Sequence, residues 1–395
     1  MACMTQKKTL TVGLLWHSLT SDNLGVGALT ESQIAIANSA AAQLGISLQF
    51  IIFGTAGGKH YYPKGVDIRT ASGVSIKQML KGNSTFLKEL DECDLVLDIG
   101  EGDSFADIYG FKRFLFLMVS KYAVLSKGKP LILSPQTVGP FDKWYTRLAA
   151  RHVMSKANKV YARDGMSAAY LQSMGVTASE EVIDVAFRLP FKQDETCKTK
   201  MKVGINVSGL LFSGGYEGGN QFSLTVEYPL HIRDLISHLL KDPNKEVWLV
   251  PHVMPDDIPN DDDRVAIKKL KEEFPDVHVA PEFACPSAAK SFISGLDFLT
   301  GARMHACIGA FSAGVPVVPF AYSRKFNGLF NTLKYPWFVD GKKDSTSDAL
   351  DKVLDGLANV AKLKSGVLNG NVIANQRLNT YEIGLAQAFE IAANK

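Results

Sequence analysis

The chain has 395 residues, 46% of them apolar and 21% charged, with a formal net charge of +3 at pH 7. That length suits two ordinary domain cores, and so small a net charge argues against a polyanion-binding surface, so no nucleic-acid partner is expected. The N-terminal MACMTQKKTL lacks an apolar signal core, and no uncharged apolar run reaches the ~18 residues of a membrane span, which reads as a cytoplasmic protein.

Apolar β-branched runs alternate with helical patterns from the start. LTVGLLWHS (10–18), LQFIIFG (48–54), DLVLDIG (94–100), PLILSPQ (130–136) and KVYARD (159–164) read as strands buried on both faces of a parallel sheet. The polar segment 192–200 interrupts them and is taken as a linker. KVGINVSGLL (202–211), EVWLVPHVM (246–254), VHVAP (277–281), FLTGA (298–302) and VPVVPFAY (315–322) then form a second series, with helices such as 231–240 between them. The last stretch, 376–395, is helical, with Leu378, Tyr381, Leu385 and Phe389 on one stripe. The expectation is an α/β chain of two Rossmann-like domains, 1–192 and 200–368, facing across a cleft. A C-terminal helix over 369–395 is free to pack back on the first domain. Ligands of such sheets sit at the carboxyl ends of strands.

Candidate residues follow the predicted strands. In SDNLGVGAL (21–29), Gly25 and Gly27 would permit a tight turn that exposes amides to an anion, with Asn23 touching a substrate hydroxyl. The plainer alternative is a βα turn capped by Asp22 or Asn23. DIGEGDSFADIYG (98–110) groups Asp98, Glu101, Asp103 and Asp107 around two glycines, as carboxylates for sugar hydroxyls or as a solvated acidic loop. In SPQTVGPF, Gln136 and Thr137 would line the floor of a cleft. Arg163 is placed to grip a phosphate or carboxylate, or else to pair with Asp164 or another acid, and Asp184 is the next strand-end acid. The run 301–322 puts Arg303 and His305 at the start of a short helix, with Tyr322 and Lys325 after the next strand. A cation, a histidine and helix N-terminal amides on one spot suit a small, highly charged anion. His252 is a weaker candidate of the same kind. The loop PDDIPNDDDR (255–264) lacks EF-hand spacing and reads as solvated. The five cysteines, Cys3, Cys93, Cys197, Cys285 and Cys307, form no CxxC pair, so neither a disulfide framework nor a zinc site is expected, and no metal is assigned.

SDNLGVGAL, DIGEGDSF, SPQTVGPF, YARD, DVAF and the block GARMHACIGAFSAGVPVVPFAYSRKFNG (301–328), in this order, resemble the polysaccharide pyruvyltransferase family. One departure is Gly100-Glu101-Gly102-Asp103, where many relatives show a plain triple-glycine run. The resemblance implies a GT-B-like fold and transfer of pyruvate from phosphoenolpyruvate onto two hydroxyls of a sugar, giving a cyclic ketal and phosphate. It implies no cofactor beyond phosphoenolpyruvate as co-substrate. Arg303 and His305 correspond to the family's phosphoenolpyruvate-binding pair, Arg163 to a second anion-binding arginine, and Lys325 to the basic position after the last core strand. His305 is then the phosphate ligand and a candidate general acid, and an acid of the 98–107 loop the base. The partner is a saccharide acceptor, with a lipid-linked carrier, association with the inner membrane face and a homo-oligomer left open. Two rivals remain: a GT-B glycosyltransferase using a nucleotide sugar, and a non-catalytic sugar- or anion-binding protein.

Overall fold

A computed structural model describes residues 8–54, 61, 63–71, 84–102, 104–196 and 199–395. Asp103, Cys3 and Cys197 lie outside them. The chain divides into two compact units. The first comprises residues 1–21, 29–188 and 375–395, and the second 22–28 and 189–374.

The first unit is built on a seven-stranded sheet in the order β3-β2-β1-β4-β5-β6-β7. Its strands are β1 (Thr9–Leu15), β2 (Ser47–Phe53), β3 (Asp67–Thr70), β4 (Leu95–Asp98), β5 (Leu131–Gln136), β6 (Lys159–Ala162) and β7 (Ser179–Glu181). Every pairing is parallel. The second unit has a six-stranded sheet in the order β10-β9-β8-β11-β12-β13. Its strands are β8 (Met201–Asn206), β9 (Lys245–Val250), β10 (His278–Val279), β11 (Phe298–Gly301), β12 (Val317–Ala321) and β13 (Val339–Asp340), again all parallel. The chain reverses its winding between β1 and β4 in one sheet and between β8 and β11 in the other. Such switch points open a crevice beyond the strand ends.

The central strands are the apolar runs read from the sequence, and β4, β5, β11 and β12 are buried throughout. The short strands β3 (DIRT), β7 (SEE) and β13 (VD) lie at sheet edges, where polar residues deter strand addition. The expected stripe of the C-terminal helix is fully buried at Leu378, Tyr381, Leu385 and Phe389. That helix, Val360–Ala393, starts earlier than expected, and only from residue 375 does it belong to the first unit. The unit boundary falls at 188/189, before the expected linker. Lys192 and Asp194 donate backbone N–H bonds to Ser291 and Ser294, which fastens this polar stretch to the second unit.

Among the described residues, three buried histidines contribute to acid sensitivity. Burial lowers His17 of the first unit to about 3 and His231 of the second to about 4. Burial, reinforced by His305 and Arg303, lowers His252 to about 3. Each is neutral when folded but protonates near 6.5 when unfolded, so the unfolded chain binds more protons between these values. The contribution of these histidines is therefore complete above about pH 6.5 and falls as pH drops, by up to about 1.4 kcal/mol per unit for each histidine. Thermal midpoints are expected to fall steeply between about pH 6 and 4.5. A level profile over that range would contradict the assignment.

Candidate functional site

In the second unit the switch point is framed by one fully buried carboxylate. Asp263 opens the helix Asp263–Glu273. Its Oδ2 accepts from the backbone N–H groups of His252 and Val253, both at 2.9 Å. Its Oδ1 accepts from Gly209 N at 2.9 Å and from Arg303 Nε and Nη2 at 3.1 and 2.7 Å. Arg303 also reaches Asp261, at 2.7 Å, and its backbone N–H donates to Asn206 Oδ1 at the end of β8. Burial alone would lower the Arg303 pKa, but Asp263 and Asp261 raise it above the ordinary arginine value, so the guanidinium stays charged. This corrects two expectations. The Nε and Nη2 of Arg303 are spent on two carboxylates rather than offered to an anion. The acidic loop is not solvated along its length, because Asp261, Asp262 and Asp263 turn inward toward Arg303 and Arg264.

His305 lies in the first turn of the helix Met304–Ser312 and is half-buried. Its imidazole rests against the first turn of the helix Leu24–Ala42. A Cβ placed on Gly25 would come 2.3 Å from His305 Nδ1. Gly25 is therefore a close-approach residue, not a turn residue. The exposed-amide expectation is corrected as well. Leu24 N donates to His252 O, Gly25 N to Asn23 Oδ1, and Val26 and Gly27 N to Asn23 O. Asn23 thus caps the helix, the plainer of the two readings. Residues 22–28 belong with the second unit, beside His252 and His305, although the rest of that helix belongs with the first. His252 is buried, and neither ring nitrogen has a protein partner.

β11 and β12 are neighbours, and each runs into a helix whose first turn has no side-chain cap, Met304–Ser312 and Arg324–Thr332. His305 sits in the first of these turns, and Arg324 and Lys325 in the second. Tyr322 precedes the second turn and packs edge-on to Phe222, with ring centroids 5.3 Å apart. Two uncapped positive helix ends with a histidine, an arginine and a lysine form a setting for a multiply charged anion. Arg324 was not singled out from the sequence, although its place directly before Lys325 at a strand end was a usable signal.

In the first unit the strand ends carry the acid- and glycine-rich loop. Asp98 is fully buried and forms an ion pair with the equally buried Lys121 at 2.9 Å. Lys121 also lies 4.4 Å above the ring of Phe105. Asp98 is thereby corrected from a site acid to half of an internal ion pair. Asp107 accepts from Asp142 N, Lys143 N and Thr146 Oγ1 at the start of the helix Trp144–Lys156. Glu101 stands between two left-handed glycines and is itself left-handed, at φ 58°. Its backbone N–H donates to Trp16 O at 2.9 Å, and its Oε2 lies 3.4 Å from Arg113. A side chain held in that conformation stores strain of about 1–3 kcal/mol.

Gln136 Nε2 donates to Asp98 O at 2.9 Å, and its buried Oε1 has no protein partner. Arg163 is buried. Its Nε donates to Thr137 Oγ1 at 2.8 Å and its Nη1 pairs with Asp184 at 2.9 Å, while Nη2 has no protein partner. Pairing with a neighbouring acid was the alternative reading, and Asp184 fills that role. Asp164 instead caps the helix Gly165–Ser173 through Ser167 N.

The family model described as Polysaccharide pyruvyl transferase matches residues 31–324. The chain belongs to the polysaccharide pyruvyl transferase family. Amylovoran biosynthesis protein AmsJ of Erwinia amylovora is 24% identical over 277 residues, covering 64% of this chain. The match spans 62% of AmsJ, so the chain accounts for about three fifths of that relative's length. Among solved structures, HepE of Anabaena in complex with UDP and glucose aligns with a TM-score of 0.56 at 13% identity, covering 96% of this chain and 99% of that one. Sucrose-phosphate synthase of Thermosynechococcus elongatus aligns at 0.58 and 10% identity, covering 96% and 98%. These likenesses show the fold, two Rossmann-like units of the GT-B type. Among the described residues no helix is long and apolar enough to cross a membrane.

Proposed function

We propose that this family member transfers pyruvate from phosphoenolpyruvate to two hydroxyls of one sugar in a polysaccharide or its precursor. The observation that carries the reading is the pair of uncapped helix starts after β11 and β12, bearing His305, Arg324 and Lys325. Phosphoenolpyruvate has a phosphate and a carboxylate, and two helix ends with three cationic or protonatable side chains suit that pair of charges. Arg303 acts here as a positioning residue. Held by Asp263, it fixes the strand end from which His305 projects.

In the proposed reaction a proton adds to the methylene carbon, which makes the central carbon oxocarbenium-like. The first sugar hydroxyl loses its proton and bonds to that carbon, the bond to phosphate oxygen breaks, and the second hydroxyl closes the ketal while its proton leaves with phosphate. His305 is the phosphate ligand and proton donor. Among the described acids of the 98–107 loop, Asp98 is tied to Lys121 and Asp107 caps a helix, so Glu101 is the proposed base for the acceptor. Glu101→Gly removes the carboxylate and relieves the left-handed strain together. It is expected to leave stability unchanged or raise it by up to about 1 kcal/mol, while turnover falls about 100-fold or more. Unfolding curves and phosphate release, measured on one preparation, check both halves.

The deciding experiment incubates the protein with phosphoenolpyruvate and a panel of galactose-, glucose- and mannosamine-containing acceptors. It reads phosphate release together with the pyruvyl mass gain on the sugar. A nucleotide-sugar glycosyltransferase is the second reading, favoured by the fold shared with UDP-bound HepE. A thermal shift with UDP and none with phosphoenolpyruvate would select it. Binding of phosphoenolpyruvate without phosphate release on any acceptor would instead leave an anion-binding protein.

A further inference from the structure

The first unit carries an exposed aromatic ridge on two helices, Phe111–Ser126 and Trp144–Lys156. Trp144 is 77% exposed, Leu148 58%, Phe111 57% and Ile108 55%. Tyr109, Leu115 and Tyr145 are also exposed. These side chains are neighbours. The rings of Phe111 and Tyr145 lie 6.4 Å apart and those of Trp144 and Tyr145 5.9 Å apart. Asp107 holds the loop before the first helix to the start of the second, through Asp142 N and Lys143 N. Further along, Tyr122 stacks on His152 at 6.0 Å, so the two helices run side by side over most of their length.

The charges on the two helices are of one sign. Neither helix contains an aspartate or a glutamate. Lys112, Lys143, Arg147, Arg151 and Lys156 are exposed along it. Lys143 lies 5.9 Å from the Tyr145 ring. Among the described residues the nearby carboxylates are Asp107, spent on its cap, the exposed Asp142, and Glu101, which faces Arg113. Exposed apolar side chains flanked by basic ones are the footprint of a surface that lies in a lipid interface. Tryptophan and tyrosine rings settle at headgroup depth, and long cationic side chains reach anionic headgroups. A second copy of the chain is disfavoured as occupant, because a self-complementary contact would bring the same basic side chains against each other.

We propose that this ridge seats the protein on an anionic bilayer, with Phe111, Trp144, Tyr145 and Leu148 inserted and Lys112, Lys143 and Arg147 at the headgroups. The proposal does not depend on the pyruvyl-transfer reading. It gives the loop bearing Glu101 a place next to the membrane, since Arg113 of the ridge's first helix reaches Glu101.

The test uses the full chain and vesicles of two parts phosphatidylcholine to one part phosphatidylglycerol, with pure phosphatidylcholine as the comparison. The protein is expected to co-sediment with the anionic vesicles at least about 10-fold more strongly than with the neutral ones, and less so as salt rises. Two double variants probe the two contributions, Trp144→Ser with Leu148→Ser and Lys143→Gln with Arg147→Gln. Each should weaken partitioning about 10-fold or more with thermal midpoints kept, because all four side chains are exposed. Wild-type binding by both variants would overturn the proposal, as would failure of the wild type to bind anionic vesicles. So would a concentration-dependent dimer that both variants abolish, which would assign the ridge to a second copy.

Discussion

Replacing Asp263 by alanine should lower the unfolding free energy of the second unit by about 3–5 kcal/mol, the usual cost of removing one partner of a buried ion pair. The count of lost acceptors explains the size. Three backbone N–H groups, at Gly209, His252 and Val253, lose their acceptor, and Arg303 keeps only Asp261. An orphaned buried donor costs about 1–3 kcal/mol, so the amides alone could account for the lower bound. Water entering the space left by the side chain offsets part of that. Asp263→Asn keeps the shape but loses the charge and turns one acceptor into a donor, so its effect should fall between the wild type and alanine. Asp257→Ala serves as the control. It changes an exposed acid of the same loop and should stay within about 0.5 kcal/mol. Denaturant melts of the three variants check this order. A loss below about 1 kcal/mol for Asp263→Ala would mean that the frame around Arg303 is not what holds these strand ends.

The ion pair of Arg303 and Asp263 also marks where sequence reading stops. Central strands are legible because a parallel strand buried on both faces must be a continuous apolar run. The edge strands β3, β7 and β13 obey the opposite demand and carry polar residues, so nothing in DIRT, SEE or VD separates them from loops. The candidate positions stand out for a similar reason, since the glycine-rich and charged clusters fall at strand ends. Their tasks do not, because a task depends on which partner the fold delivers. Asp263 meets Arg303 from 40 residues away, and that acid run looks in sequence like any solvated loop. Residues 22–28 lead without interruption into a helix of the first unit, yet they belong with the second. The sequence holds one further clue. Lys121 is a lone cation in the apolar run FLFLMVSKYAVL, a pattern that calls for a buried carboxylate partner, and Asp98 is that partner.

Gly25→Ala is expected to reproduce much of the catalytic loss of His305→Ala without touching the histidine. A methyl group at residue 25 would lie 2.3 Å from His305 Nδ1, 2.9 Å from its Cγ and 3.0 Å from Asn23 Oδ1. The helix backbone itself has no reason to move, since Gly25 is helical and alanine is the better helix former by up to about 1 kcal/mol. What must give way is the imidazole, whose rotation is the softest motion available. Stability should therefore change by less than about 1 kcal/mol. If His305 binds the departing phosphate and donates the proton, His305→Ala should lower turnover about 100- to 1,000-fold, and Gly25→Ala should follow it within about 10-fold. The double variant separates this from two unrelated defects. Both changes act on one side chain, so combining them should be no worse than His305→Ala alone, whereas independent defects would multiply. Full activity in Gly25→Ala, or multiplying losses in the double variant, would show that the seat of His305 on the Leu24–Ala42 helix is not what positions it for chemistry.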